Sequence, residues 1–364
     1  MKYKSIVIKI GSHLIVKGKE NFIDFIAGQV SELRDKGCRV IIVSSGAIAT
    51  GVDEYKLSKK PTKIVEKQAY AAIGQPLLMR KYIEIFKKYN IVVAQVLLTR
   101  EDFNDRKRYL NIRNTLNFLL KLGVVPIINE NDTVAYEEIK LGDNDTLSAI
   151  VAVKTNADLL VLLTDVDGIY DKDPNLYKDA NLIREIYSLE QLNSCMINSK
   201  SSFFCGTGGM KTKVEAAKIC MLSGVDTVIT NGIKERVLLD IVEGKQVGTK
   251  IYSKKTKITS KDKWIAFISK SKGKIYIDDG AVLAILQKHK SLLPVGIKKV
   301  EGEFEKGDIV SVYTLNGKEI AKGVVNYSSD EINKIKGKKT KEIKSISSEF
   351  KHEEVIHADN IVII

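Results

Sequence analysis

The sequence predicts an α/β protein: a mainly parallel sheet covered by helices on both faces, followed by a small β-rich module. Three observations carry this reading. Across residues 1–252, short β-branched or apolar runs alternate with stretches of helical periodicity. Two of those runs, Gly123–Ile128 and Asp158–Leu163, are almost continuously apolar, as strands buried on both faces are, and both end in polar residues. At Ser253–Lys263 the composition then turns polar and basic, which marks a linker.

Taken in order, Ser5–Ile10 (S-I-V-I-K-I) is a short strand ended by Gly11-Ser12. Lys9 lies within it, an odd place for a long cation unless its ammonium reaches an anion. The other reading is an edge strand whose lysine points to water. Phe22–Lys36 has helical periodicity and stops at Gly37. Cys38–Val43 is a second buried strand that runs into Ser44-Ser-Gly-Ala-Ile-Ala-Thr-Gly51. A strand feeding a Gly/Ser turn that opens a helix offers close backbone approach and free N–H donors, suited to phosphate or carboxylate. Small residues there also serve tight strand–helix packing. Lys63–Tyr89 reads as helix interrupted around Gly74-Gln-Pro76, where proline should bend or divide it.

Ile91–Leu98 is a strand, Thr99-Arg-Glu-Asp102 a helix entry with acids in its first turn, and Arg106–Lys121 the next helix. Gly123–Ile128 follows, then Thr146–Lys154 with apolar residues at helical spacing, then the strand Asp158–Leu163. Asn198–Cys205 is polar and irregular and reads as a mobile loop. It leads into Gly206-Thr-Gly-Gly-Met-Lys-Thr-Lys213 and a helix through Leu222. Val225–Thr230 and Val247–Tyr252 are expected to close the sheet. Beyond the linker come strands at Lys274–Ile277 and Ile309–Tyr313, a helix over Gly280–Lys288, and turns at Lys306-Gly-Asp308 and Asn316-Gly317. Lys334–Lys344 is lysine-rich, and the apolar end Ile361–Ile364 is either a final strand or an oligomer contact.

Composition narrows the function classes. A chain of 364 residues with 44% hydrophobic content can bury a sizeable core and suggests two domains. No apolar run approaches a membrane span of roughly 20 residues. No long apolar leader or small-residue cleavage site opens the sequence, so a soluble, cytoplasmic protein is expected. Cys38, Cys195, Cys205 and Cys220 are scattered without metal-ligand spacing, which fits reduced thiols. The four histidines are dispersed too, so a His-based metal site or triad has little support. The net charge of +13 permits anionic partners without naming one. It is densest from Ser253 onward, with 22 lysines against 15 acids, where a solvated lysine-rich surface is the simpler explanation.

The chemistry-bearing residues cluster in Asn129–Asp145 (N-E-N-D-T-V-A-Y-E-E-I-K-L-G-D-N-D). One end sits at a strand's C-terminal end and the other at a helix start, which is where open α/β sheets bind ligands. A helix cap explains Asp143 or Asn144 singly, but not Asn129, Asn131, Asp132, Asp143, Asn144 and Asp145 together. Thr164-Asp-Val-Asp-Gly168 repeats the pattern at another strand end, as a simple turn or as a nucleotide contact. The 206–213 stretch lacks the Walker A spacing, yet its glycines, Thr207 and lysines share the same physics of exposed N–H groups and positive charge. A glycine hinge is the alternative there.

Six motifs stand in one order: V-I-K-I-G-S at 7–12, S-S-G-A-I-A-T-G at 44–51, I-N-E-N-D at 128–132, G-D-N-D at 142–145, L-L-T-D at 162–165 and G-T-G-G-M-K-T-K at 206–213. The series closely resembles the glutamate 5-kinase family of amino-acid kinases. D-D-G-A at 278–281, S-L-L-P-V-G-I at 291–297 and F-E-K-G-D at 304–308 resemble a PUA domain, so the resemblance covers essentially the whole chain. It implies a three-layer αβα amino-acid kinase fold over 1–252, a linker over 253–271, a PUA-like domain over 272–351 and a tail over 352–364.

The implied activity is transfer of the ATP γ-phosphoryl to the side-chain carboxylate of L-glutamate, the first step towards proline. By match to the family motifs, Lys9 and Lys213 flank the transferred phosphoryl, and Asp145 orients both ammonium groups. Ser45, Asp132 and Asn144 match positions that hold glutamate, with Asp132 suited to the α-ammonium. Lys9, Thr164, Asp165, Thr207, Gly208, Gly209, Met210, Lys211, Thr212 and Lys213 match the nucleotide-binding positions. Mg²⁺ would arrive with ATP. The resemblance further implies proline as feedback inhibitor, a homo-oligomer, and coupling to glutamyl-phosphate reductase. Two readings compete: a relative acting on another carboxylate, such as aspartate or acetylglutamate, and an RNA-binding protein using the basic PUA-like part. RNA binding alone would not require the Lys9/Asp145/Lys213 set.

Overall fold

The computed structural model describes the chain apart from residues 1, 18–20, 57–60, 100, 105, 136–143, 175, 198–208, 254–270, 339–341, 343–351 and 364. Two compact units result, Met1–Thr256 and Lys257–Ile364. The 198–205 loop and most of the basic linker lie outside the described residues.

In the first unit the chain runs β1 (Ser5–Ile10), α1 (Ser12–Lys17), α2 (Phe22–Asp35), β2 (Arg39–Ser44), α3 (Ala47–Glu54), α4 (Ile64–Lys87) and β3 (Val93–Leu98). It continues with α5 (Glu101–Asn104), α6 (Arg106–Lys121), β4 (Val125–Glu130), α7 (Asn144–Lys154), β5 (Leu159–Thr164), β6 (Glu185–Ile186) and α8 (Leu189–Ile197). The unit ends with α9 (Met210–Leu222), β7 (Asp226–Asn231), α10 (Val237–Glu243) and β8 (Thr249–Ile251). The eight strands form one sheet in the order β3-β4-β2-β1-β5-β7-β8-β6. The six strands from β3 to β7 are parallel, and β8 turns antiparallel against β7 before β6 completes the edge. The expected closing strands are therefore in place, but the edge belongs to β6, a two-residue strand too short to leave a pattern in the sequence.

β1 lies inside the sheet, with Lys9 opposite Val43 of β2 on one side and Leu162 of β5 on the other. The edge-strand reading of Lys9 is thereby excluded. Strand alternation does the rest. Ile6, Ile8 and Ile10 join the core that α2, α4 and α10 cover, through residues such as Ile26, Leu33, Tyr82, Phe86, Leu238 and Ile241. Lys9 faces the opposite way, towards α7, where it meets Asp145. α7 itself is buried almost all round, which explains why its amphipathic pattern is weak.

α4 runs unbroken through Pro76 for 24 residues. A proline costs its own N–H bond and crowds the preceding turn, but here tertiary packing outweighs that loss. Gly74 and Gly51 let α4 and α3 touch backbone to backbone: a Cβ on Gly74 would stand 1.9 Å from the Ala47 carbonyl oxygen, and one on Gly51 2.1 Å from that of Tyr70. Both distances are far below any real contact, so only glycine fits at this crossing.

The second unit holds a mixed five-stranded sheet, β10-β9-β11-β12-β13, with β9 at Gly273–Ile277, β10 at Ile297–Glu301, β11 at Ile309–Thr314, β12 at Glu319–Val324 and β13 at Ile361–Ile363. Helices Asp279–Lys288 and Ser329–Ile335 flank it, capped by Asp278 and by a Ser328/Glu331 capping box. Its own core gathers Ile275, Ile277, Ile285, Phe304, Val310, Val312, Ile332 and Ile356. The apolar chain end is a strand, since β13 pairs antiparallel with β12.

Candidate active site

Four parallel strands end at one place: β1 with Lys9, β2 with Ser44, β4 with Asn129, and β5 with Thr164. Here the chain, having built outward from β1 through β2, returns to the other side of β1 as β5, the reversal point at which open α/β sheets form a crevice. α7 and α9 point their N-termini at the same spot.

Asp145, in the first turn of α7, is fully buried. Its Oδ1 lies 2.7 Å from Lys9 Nζ and its Oδ2 3.2 Å from Lys213 Nζ on α9. Thr212 Oγ1 donates to the same Oδ2 at 2.8 Å. Both ammonium groups are almost wholly buried, at 4% and 7% side-chain exposure. Burying three charges costs several kcal/mol per ion before attraction returns any of it. A fold that gathers two cations around one carboxylate therefore gains little stability from doing so. Formally the three groups sum to +1, an arrangement suited to an anion that approaches them.

A second cluster adjoins the first. Asn144 Nδ2 has two hydrogens and two short acceptors, Ser45 Oγ at 2.8 Å and Asn129 Oδ1 at 2.9 Å, with Ser44 O further off at 3.3 Å. Asn144 Oδ1 is buried and has no hydrogen-bond partner among the described residues. Gly46, with φ of 110°, makes the turn between β2 and α3. That left-handed conformation favours glycine and sets Ser45 beside Asn144. Asp132, half-buried, follows β4 in the same loop, and Gln68 Nε2 of α4 holds the loop by the Ala135 carbonyl at 3.1 Å.

At the end of β5, Thr164 Oγ1 donates to Asp165 Oδ1 at 3.0 Å. The exposed Asp165 also stands 3.7 Å from His13 Nδ1, and Asn231 Nδ2 donates to its backbone oxygen at 3.4 Å. Gly209 precedes α9, with Met210 buried and Lys211 exposed in its first turn. Thr207 and Gly208 lie outside the described residues, as does Asp143.

The fold thus brings Lys9, Lys213, Asp145 and Thr212 into one cluster and Ser45 and Asn144 into its neighbour. Sequence reading missed two supports on α4. Gln75 Oε1 accepts from Asn129 Nδ2 at 2.8 Å, and Tyr82 OH lies 2.9 Å from Ser44 Oγ. A signal existed: Gln75, Leu78, Met79 and Tyr82 share the buried stripe of α4, so a glutamine there is a polar residue on a core face.

Comparison with known proteins agrees on both units. The model of the Amino acid kinase family matches residues 4–231, and that of the PUA domain matches residues 273–347. The chain is 49% identical to the Glutamate 5-kinase of Caldanaerobacter subterraneus subsp. tengcongensis, over 99% of this chain and 97% of that protein. It is 47% identical to the Glutamate 5-kinase of Dictyoglomus thermophilum, over 100% and 98%, and 45% identical to that of Nostoc sp., over 99% and 97%. Among solved structures, carbamate kinase from Giardia lamblia bound to AMP-PNP superposes with a TM-score of 0.51 at 17% identity, covering 69% of this chain and 99% of that one. At that identity the likeness speaks to the fold alone.

Proposed function

The chain belongs to the amino acid kinase family, with a PUA domain after the kinase part, and on that premise we propose that the buried Lys9–Asp145–Lys213 cluster is its phosphoryl-transfer centre. The reaction is ATP-dependent phosphorylation of the side-chain carboxylate of L-glutamate, giving L-glutamyl 5-phosphate, the first step of proline biosynthesis. The single observation that carries the assignment of the centre is the pair of buried ammonium groups held on one carboxylate.

The chemistry follows from charge. A glutamate side-chain oxygen attacks the γ-phosphorus, the bond from that phosphorus to the β–γ bridging oxygen breaks, and ADP leaves with the electron pair. Donor and acceptor are both anionic, so the protein must hold like charges together and stabilise those that shift during transfer. Positioning and fixed positive charge supply most of what this reaction needs, with no protein nucleophile. Lys9 and Lys213 are read as the cations on the transferring group, and Asp145 as the residue that fixes both without touching substrate. Ser45, Asp132 and Asn144 are read as the glutamate site, and Thr164, Asp165 and the 207–213 stretch as the nucleotide site.

Both Asp145 oxygens are engaged by lysines, and no cluster of three acidic, histidine or cysteine side chains exists among the described residues. That donor set fits a Mg²⁺ that travels with ATP on phosphate oxygens and water, neutralising phosphate charge when bound. Proline, a product further along, is read as an inhibitor that overlaps the glutamate pocket. A homo-oligomer, coupling to the reductase that consumes the acyl phosphate, cytoplasmic location and RNA contact by the PUA domain belong to the same reading. Among the described residues no helix is long and apolar enough to cross a membrane.

Hydroxylamine trapping tests the proposal, because an acyl phosphate becomes a stable hydroxamate. The expected result is hydroxamate that requires both ATP and L-glutamate. Turnover with aspartate or acetylglutamate, and none with glutamate, would reject the substrate.

A further inference from the structure

The Gly74-Gln-Pro76 stretch, which the sequence offers only as a helix break, has another use in the fold. α4 meets the candidate site three times, through Gln68 on the Ala135 carbonyl, Gln75 on Asn129 and Tyr82 on Ser44. These residues are seven apart, which on an α-helix is one face, with successive contacts about 10 Å apart. Gln75 is the middle one, 9% exposed, and its bond to Asn129 is buried.

Hydrogen-bond direction can be followed outward from it. Asn129 turns its NH₂ towards α4, where Gln75 Oε1 accepts it, and its oxygen towards the site. The backbone N–H of Glu130, which can only donate, gives to that oxygen at 2.9 Å and fixes this orientation. Gln75 completes it by accepting the NH₂ that would otherwise be buried without a partner. Asn129 Oδ1 is then an acceptor for Asn144, which must turn its own NH₂ inward. The second hydrogen of that NH₂ goes to Ser45 Oγ. Two consequences reach the substrate side. Among the described residues Asn144 is left with Oδ1 as a buried acceptor that lacks a donor, and Ser45, having accepted, keeps its own O–H to give.

An acceptor beside a donor suits an α-amino acid. At neutral pH L-glutamate carries one kind of donor, its ammonium, and two carboxylates that accept. Reversing the Asn144 amide would put N–H against the ammonium. We propose that Gln75 is a positioning residue that, together with the Glu130 N–H, holds the direction of the Asn129–Asn144–Ser45 chain, so that the site offers an oxygen to the substrate ammonium and a hydroxyl to a carboxylate. The inference rests on the glutamate reading above.

The residue acts through others, so its signature is selectivity rather than loss of chemistry. Gln75→Leu removes the acceptor and leaves the Asn129 NH₂ buried without a partner, an imbalance of the size that shifts binding roughly tenfold to a hundredfold. The expected outcome is a rise of that order in glutamate KM, with kcat and ATP KM changed less than threefold (roughly the scatter of a neutral substitution). Inhibition by glutarate, which lacks the ammonium and keeps only the carboxylate contacts, should weaken clearly less than glutamate binding does. Gln75→Glu keeps an acceptor and should recover most of the glutamate affinity. Should circular dichroism show Gln75→Leu unfolded, Gln75→Met serves with the same expectations. An unchanged glutamate KM in the folded apolar variant would overturn the proposal. So would equal weakening for glutarate, or a Glu variant as impaired as the Leu variant. Wild-type protein that makes no hydroxamate from glutamate would instead remove the substrate reading itself, a separate and earlier failure.

Discussion

α7 carries Asp145 in its first turn and Lys154 in its last, and the two lysine environments it touches are opposites. Lys9 and Lys213 have a carboxylate. Lys154 Nζ is buried, finds no hydrogen-bond partner among the described residues, and lies 3.5 Å from the centre of the Tyr109 ring. Burial, with Arg113 nearby, pulls its ammonium down from the ordinary 10.5 to about 6. The unfolded chain therefore holds this proton up to about pH 10.5 while the fold releases it near 6. Between those values the unfolded state binds more protons, so stability rises with pH through the window and declines as pH falls. From pH 7 to the unfolded value, at about 1.36 kcal/mol per pH unit, the penalty amounts to about 5 kcal/mol. Lys154→Met keeps the volume of the stem and removes the amine. It should stabilise the fold by a few kcal/mol at neutral pH and flatten the pH dependence between about 6 and 10.5. Activity should stay unchanged, since Lys154 lies about 14 Å along the helix from Asp145 at 1.5 Å per residue. Urea unfolding of both proteins across this pH range gives the comparison. Parallel pH dependences, or a variant less stable than wild type at pH 7, would refute the reasoning.

Further outcomes bear on the site. Lys9→Ala and Lys213→Ala should each lower kcat by about 10²-fold or more, because each would remove a charge from the proposed phosphoryl-transfer centre. Asp145→Asn should also lower turnover by releasing both ammonium groups, and a defect confined to glutamate KM would place Asp145 in the substrate pocket instead. Asp132→Ala should raise glutamate KM strongly and ATP KM much less, and steady-state kinetics in both substrates would expose equal weakening as general damage. A chain ending near Lys257 retains the whole first unit with its own core. It should fold by circular dichroism and still form hydroxamate, whereas a folded but inactive product would mean that the second unit completes the site.

Much of the fold was legible because the central strands of its larger sheet are buried on both faces. Continuous apolar runs such as L-L-V-L-L at 159–163 have few alternatives once they alternate with amphipathic helices. Local rules failed where tertiary contacts reversed them. Pro76 signals a break, yet Gly74 and Gly51 bring α3 so close that the helix continues through it. β6 has two residues and takes its existence from β8, not from its own composition.

The site divides along the same line. Residues at strand ends and helix starts announce themselves, because short acids and amides there have no structural task large enough to account for all of them. Lys9 in a β-branched strand was an anomaly of the same kind, and its buried contact with Asp145 resolves it. The partners of Gln75 and Tyr82 were not legible, since each is one polar residue in a helix and its partner is some fifty or forty positions away in sequence. A buried polar group on a core face must find a partner or cost about 1–3 kcal/mol. Its presence therefore predicts a partner without saying which. The fold supplies the answer by packing α4 against β3, with its polar side chains reaching Ser44 and Asn129 near the ends of β2 and β4, so the helix that packs the core also holds residues beside the proposed glutamate site. Substitutions on that face of α4 should accordingly be read first in substrate selectivity, and only then in stability.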